Sequence, residues 1–116
     1  MGRRASEASD NRVSVMSGAQ SEKLVAAIAS LELHLRPDVV RIRHTVGEDS
    51  SGQPAIFFRV LLSDRASRPD RLRQVTRKVR NLVYQDIDPV NSWGLVPYLR
   101  FRSQSEQAEL KEPAWA

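Results

Sequence analysis

The stretch Ala55-Ile56-Phe57-Phe58-Arg59-Val60-Leu61-Leu62-Ser63-Asp64 decides how the rest of the chain is read. It is the most apolar run in the sequence and is rich in β-branched and aromatic residues. It is too short for an independent helix, and it lies between Gly52-Gln53-Pro54 and an Asp/Ser-rich turn. These features predict a largely buried strand. Arg59 stands in its middle, and an unpaired arginine in a core costs several kcal/mol. Alternation removes the conflict: Ile56, Phe58, Val60 and Leu62 point one way, and Ala55, Phe57, Arg59 and Leu61 the other. One face of the strand is therefore core and the other carries an arginine and a ring.

The flanking segments extend the pattern. Val39 to Val46 alternates, with Val40, Ile42, His44 and Val46 in one set and Arg41, Arg43 and Thr45 in the other. The connection from Gly47 to Pro54 is too long for a two-residue hairpin and predicts a longer loop. Tyr98 to Arg102 alternates again, Leu99 and Phe101 against Tyr98, Arg100 and Arg102. Between Ser21 and Leu35, Leu24, Ile28, Leu31 and Leu35 recur at helical spacing, with Ala27 beside them. Ser17 followed by Gln20 fits a capping box, and Arg36-Pro37 ends the helix. Ser67-Arg68-Pro69-Asp70 predicts the start of a second helix, with Ser67 capping Asp70. Its buried stripe is Leu72, Val75, Val79, Leu82 and Val83, and it ends near Tyr84-Gln85. Asp88 to Gly94 is expected as a loop.

The predicted order is helix–strand–strand–helix–strand. The expected fold is a small α+β, two-layer αββαβ domain, a three-stranded sheet with both helices on one face. In element order it is similar to several small αββαβ domains, including the KH-like and truncated ferredoxin-like groups. The GxxG loop of KH domains is missing, and no family is recognised at residue level. Residues 1–18 are small, polar and charged without a period and are expected to form a disordered arm. The domain itself is expected over 19–103, and 104–116 is a polar, acidic tail.

Composition limits the function. At 116 residues the chain is one domain with tails, and a hydrophobic content of 41% leaves room for only a modest core. With no cysteine, disulfides, thiolate metal sites and a cysteine nucleophile are excluded. No apolar run approaches the roughly 18–20 residues that span a bilayer, and no secretory signal is visible, so a cytoplasmic location is expected. A net charge of +4 suits a polyanionic partner without requiring one.

Catalytic patterns are weak. His44 lies on the apolar parity of its strand, and His34 sits near a helix C-terminus, where its charge suits the dipole. Two histidines without matching spacing make no metal site. Ser51 or Ser63 with His44 and Asp64 has the residue types of a triad but no nucleophile elbow. Phosphate-loop and dinucleotide fingerprints are absent. Gly47 and Asp64 do not make a nucleotidyltransferase-like site either, because Arg59 and Leu62 stand where strand carboxylates would hold a metal. No cofactor, metal or enzymatic activity is expected.

The candidate binding site follows from the three alternations. Arg41, Arg43, Phe57, Arg59, Tyr98, Arg100 and Arg102 should share the sheet face away from the helices. Guanidinium groups and flat rings suit a protein interface, with a partner protein or a second copy, in an accessory, adaptor or antitoxin-like role. The same groups suit phosphates and stacked bases, so single-stranded RNA or DNA is the alternative ligand. A second basic surface is the helix carrying Arg68, Arg71, Arg73, Arg77, Lys78 and Arg80. Two plainer readings compete: the acidic tail folds back over the face with Trp115 as anchor, or the arginines pair with Glu48, Asp49 and Asp64 on a wet surface.

Overall fold

Ser17 opens the first helix with the expected reciprocal cap. Its hydroxyl accepts from the Gln20 amide at 3.0 Å, and its own amide donates to the Gln20 side chain at 2.9 Å. This satisfies two of the free donors at the helix start. In the computed structural model, which describes residues 16–116, helix α1 runs Gly18–His34. The helix therefore begins at the edge of the expected arm, and Met16 already packs on the core. The remainder of that arm, residues 1–15, lies outside the described residues. Leu24, Ile28, Leu31 and Leu35 are all buried, as their spacing predicts.

Strands β1 (Val39–Glu48) and β2 (Pro54–Leu62) pair antiparallel, and β3 (Val96–Ser103) adds to β2 in parallel. The three-stranded mixed sheet has the order β1-β2-β3. The loop from Asp49 to Gln53 joins the first two strands. Gly52 adopts φ 84 there, a left-handed backbone that favours glycine. Its closing contacts are Asp49 N–H to Gln53 O at 2.9 Å and Gly52 N–H to Asp49 O at 3.0 Å.

Cross-strand rows build the core: Ile42–Val60–Phe101, His44–Phe58–Leu99 and Val46–Ile56–Pro97. Phe58 is 1% exposed, and Ile56 and Val60 are fully buried. They form one cluster with Leu24, Ile28 and Leu31 of α1 and with Val75 and Val79 of helix α2 (Leu72–Leu82). The alternation of β1 breaks at one point. Val39 pairs with Leu62 but Arg41 with Leu61, so Val40 is the extra residue of a bulge. Val39 takes the core position at 0% exposure, and Val40, expected there, is only half-buried.

The second helix starts later than its residues suggest. Ser67 does not cap it. The Ser67 hydroxyl donates to the Ser63 carbonyl at 2.9 Å, closing the turn that leaves β2. Asp70 instead faces Arg68 at 3.9 Å, and α2 begins at Leu72 without a side-chain cap. A hydroxyl near two backbone partners satisfies whichever the chain brings closer, here the preceding strand end. Leu72, expected in the buried stripe, is 38% exposed because it lies in the first turn, at the rim of the core.

After α2 the chain widens into a turn, Val83–Ile87, closed by Asp88 N–H to Val83 O at 2.9 Å. The expected loop that follows is a short helix, α3 (Pro89–Trp93). Proline at its first position misses no donor there, and Gly94, at φ 66, closes it. The acidic tail is also structured. Ser103 and Glu106 form a second capping box and start helix α4 (Gln104–Leu110), followed by a single 3-10 turn, Pro113–Trp115. Among the described residues no helix is long and apolar enough to cross a membrane.

Candidate binding face

Strand register, more than alternation alone, positions the candidate residues. On the face opposite the core, three rows run across the sheet: Arg41–Leu61–Arg102, Arg43–Arg59–Arg100 and Thr45–Phe57–Tyr98. All seven predicted binding residues are thus brought together. The middle row sets three arginines side by side. Like charges directly opposite one another destabilise a sheet unless acceptors lie close.

The acceptors come from the C-terminal segment, and most of them are main-chain oxygens. Arg59 donates Nε–H to the Ala114 carbonyl at 2.7 Å and an Nη1 proton to Thr45 Oγ1 at 3.0 Å. Arg43 Nε–H meets the main-chain oxygen of Ala116 at 2.7 Å. Arg41 reaches the Trp115 carbonyl with Nε and Nη2, each at 3.4 Å. Arg102 lies over the indole of Trp115, 4.3 Å from its centroid, and pairs with the Glu112 carboxylate at 2.5 Å. Its Nη1 also donates to Gln107 Oε1 at 2.9 Å, while Gln107 Nε2 donates to the Glu112 carbonyl at 2.8 Å.

Trp115 is 5% exposed and Leu61 3%, yet neither belongs to the main core. Arg41 and Arg102 flank Leu61 in its row, the first bonding the Trp115 carbonyl and the second lying over its indole. Of the two plainer readings of the arginines, the folded-back tail is the one seen, with Trp115 as its anchor. Glu112 is the tail glutamate that pairs with the face; the remaining anchors are main-chain oxygens, the Gln107 side-chain amide and the indole.

The aromatic row is organised differently. Phe57 and Tyr98 stack with centroids 5.4 Å apart and planes at 15°. The Tyr98 hydroxyl donates to Asp49 Oδ2 at 2.7 Å. Asp49 Oδ1 accepts from the Ser51 amide, the Ser51 hydroxyl and the Gln53 amide. The Tyr98 bond, then these others, hold the Asp49 carboxyl down at about 2. The same bond pushes the Tyr98 phenol up from its ordinary value. Arg100 is exposed and has no partner among the described residues.

The second basic surface divides. Arg71 forms a two-pronged pair with Asp38, at 3.0 and 3.1 Å, tying the start of α2 to the entry of β1. Arg68 faces Asp70 across 3.9 Å on the open surface. Arg80 lies over Phe101, 5.7 Å from its centroid. Arg73, Arg77 and Lys78 are exposed on α2 and lack an acidic partner among the described residues. Between α2 and β3 lies an open groove of about 580 Å³. Leu62, Pro69, Leu72 and Phe101 floor it, and Arg73, Arg80, Arg102 and Glu106 stand around it.

The triad residues do not meet. Asp64 accepts from the Ser105 amide and hydroxyl, Ser51 donates to Asp49, and the Ser63 hydroxyl accepts from the Ala66 amide. His44 is half-buried beside Phe58 on the core side, where burial, and then the charge of Arg59, lower its pKa. Among the described residues no group of three His, Asp or Glu side chains could hold a metal ion.

No protein family, curated protein or solved structure matches the chain.

The sequence located the face and offered the folded-back tail as one of its covers, but not the main-chain oxygens that hold it there. It also missed Asp49 as the anchor of Tyr98, Gln107 as the clamp on Glu112, and the groove beside α2. Asp49-Ser50-Ser51-Gly52 carries the signal of a carboxylate-closed loop, which could have revealed the first.

Proposed function

We propose that this chain is a small, non-enzymatic binding module whose arginine–aromatic sheet face takes hold of a polypeptide segment. The observation that carries this reading is the way Ala114, Trp115 and Ala116 lie on the face. Main-chain oxygens of three consecutive residues accept from Arg59, Arg41 and Arg43, and the indole stacks under Arg102. Guanidinium donors that read main-chain oxygens tolerate many sequences, and burial of one large ring adds selectivity. The occupant of the face is itself a peptide, which favours a protein partner or a second copy over nucleic acid. A partner presenting a similar segment competes with the chain's own tail, as an adaptor or accessory subunit would require. This reading keeps the protein in the cytoplasm, as expected from the sequence.

The test uses the full chain with Trp115→Ala, which loosens the tail, and a labelled peptide of residues 111–116. The peptide should bind the variant more tightly than wild type, and adding Arg59→Ala should weaken that binding. Equal and negligible peptide binding by wild type and a folded Trp115→Ala variant would count against the reading. Salt-sensitive binding of an octauridylate to the variant, lost with Arg59→Ala, would move it to single-stranded RNA.

A further inference from the structure

The two edges of the sheet are treated differently. At the β1 edge, α1 packs alongside, and Glu32 Oε2 accepts from the Ile42 amide at 2.7 Å. At the β3 edge, no group outside the sheet bonds to the main chain of residues 96–102 among the described residues. Two facts show which groups face outward there. Pro97 has no amide proton to give a ladder, and the Ser103 amide is used by Glu106. A strand residue turns its N–H and C=O to the same side, and the side alternates. The N–H and C=O of Leu99 and Phe101 therefore face the free edge. An edge of this kind templates another strand.

Charge surrounds it on both faces. On the core side the groove floored by Phe101 and Leu72 is rimmed by Arg73 and Arg80, and on the other side stands Arg100. Glu112 offsets Arg102, and the single carboxylate of Glu106 stands against Arg73, Arg80 and Arg100, so the net charge around the edge is positive.

We propose that the free edge of β3, with the groove it shares with α2, docks an extended acidic segment of a partner protein as a fourth strand. The site lies along the sheet edge beside the tail-covered face and does not depend on that reading. Main-chain groups at two-residue spacing match a peptide backbone. Alternate side chains of the added strand then meet the apolar groove and the cations. A second copy pairing through its own β3 would instead bring Arg80 and Arg100 of both molecules together, which the like charges oppose. Nucleic acid suits the cations but has no ladder to offer Leu99 and Phe101.

The experiment titrates the full, isotope-labelled chain with a capped heptapeptide of alternating glutamate and valine. Exchange of the Leu99 and Phe101 amides should slow on binding. A peptide with lysine in place of glutamate should not bind. Arg73→Glu with Arg80→Glu, both exposed although Arg80 gives up its place over Phe101, should weaken binding roughly tenfold or more in a variant whose amide spectrum keeps the native pattern. The proposal is overturned if the peptide binds without protecting those amides, or if the folded double variant keeps its affinity. It is equally overturned if octauridylate binds there and the peptide does not, or if the free protein sizes as a dimer with the two amides already protected.

Discussion

Arg59 and Ala114 are joined by a 2.7 Å hydrogen bond from the guanidinium Nε–H to the carbonyl oxygen, across 55 positions of sequence. An arginine in the central strand is thus stabilised by backbone from the last turn of the chain. That bond ties the polarity of the sheet face to the position of the tail.

Replacing Arg59 with alanine should release Ala114 and relieve the Arg43–Arg59–Arg100 row at once. The two effects oppose each other, so the stability loss should be small, about 0.5–1.5 kcal/mol. Tail exposure, read from faster proteolysis after Lys111, should rise much more than the unfolding midpoint falls. A tail that stays protected would show that Arg41, Arg43 and Arg102 hold it without Arg59.

Trp115→Ala removes a buried ring at the edge of the fold, where the segment detaches instead of leaving a cavity. A loss of about 1–3 kcal/mol is expected, below that of a core aromatic. Chemical denaturation measures it, and a loss as large as that of Phe58→Ala would place the tail within the core's cooperative unit.

Phe58→Ala should cost about 3–5 kcal/mol, because Phe58 joins the stripes of both helices to the sheet. In a domain of this size that is a large part of the folding free energy. A urea midpoint near wild type would contradict the packing described here.

Asp49 links pH to the loop between β1 and β2. Its carboxyl titrates at about 2 in the fold against 3.8 in the unfolded chain. A lowered folded pKa contributes stability that is present above 3.8 and lost as pH falls through 2. Tyr98→Phe removes the largest cause and should raise the Asp49 pKa toward 3.8, measurable by carboxyl-carbon NMR titration. An unchanged value would assign the depression to Ser51 and Gln53.

Glu32→Ala should leave the Ile42 amide at the sheet edge without its acceptor. Hydrogen exchange at Ile42 should speed up while Phe58 amide exchange, deep in the central strand, changes little. A stability loss of about 1 kcal/mol is expected.

The sequence alone determined which residues share a face. A strand's period of two and a helix's stripe are local rules, so Arg59 against Phe58, or Leu24 with Ile28 and Leu31, could be read directly. The same holds for the Ser17–Gln20 cap, whose partners lie three residues apart. Local rules failed where two partners competed. Ser67 had Ser63 and Asp70 in reach, and the strand end took it; the bulge at Val40 depended on pairing with Leu61 and Leu62. Only the tertiary structure decided what lies on the arginine face and which sheet edge is open. The tail acceptors of Arg41, Arg43 and Arg59 are main-chain oxygens, which every residue carries, so a contact between position 59 and position 114 leaves no residue pattern to read. Whether β3 ends the sheet likewise depends on where α1, α2 and the tail come to rest, and that is set by packing between distant segments.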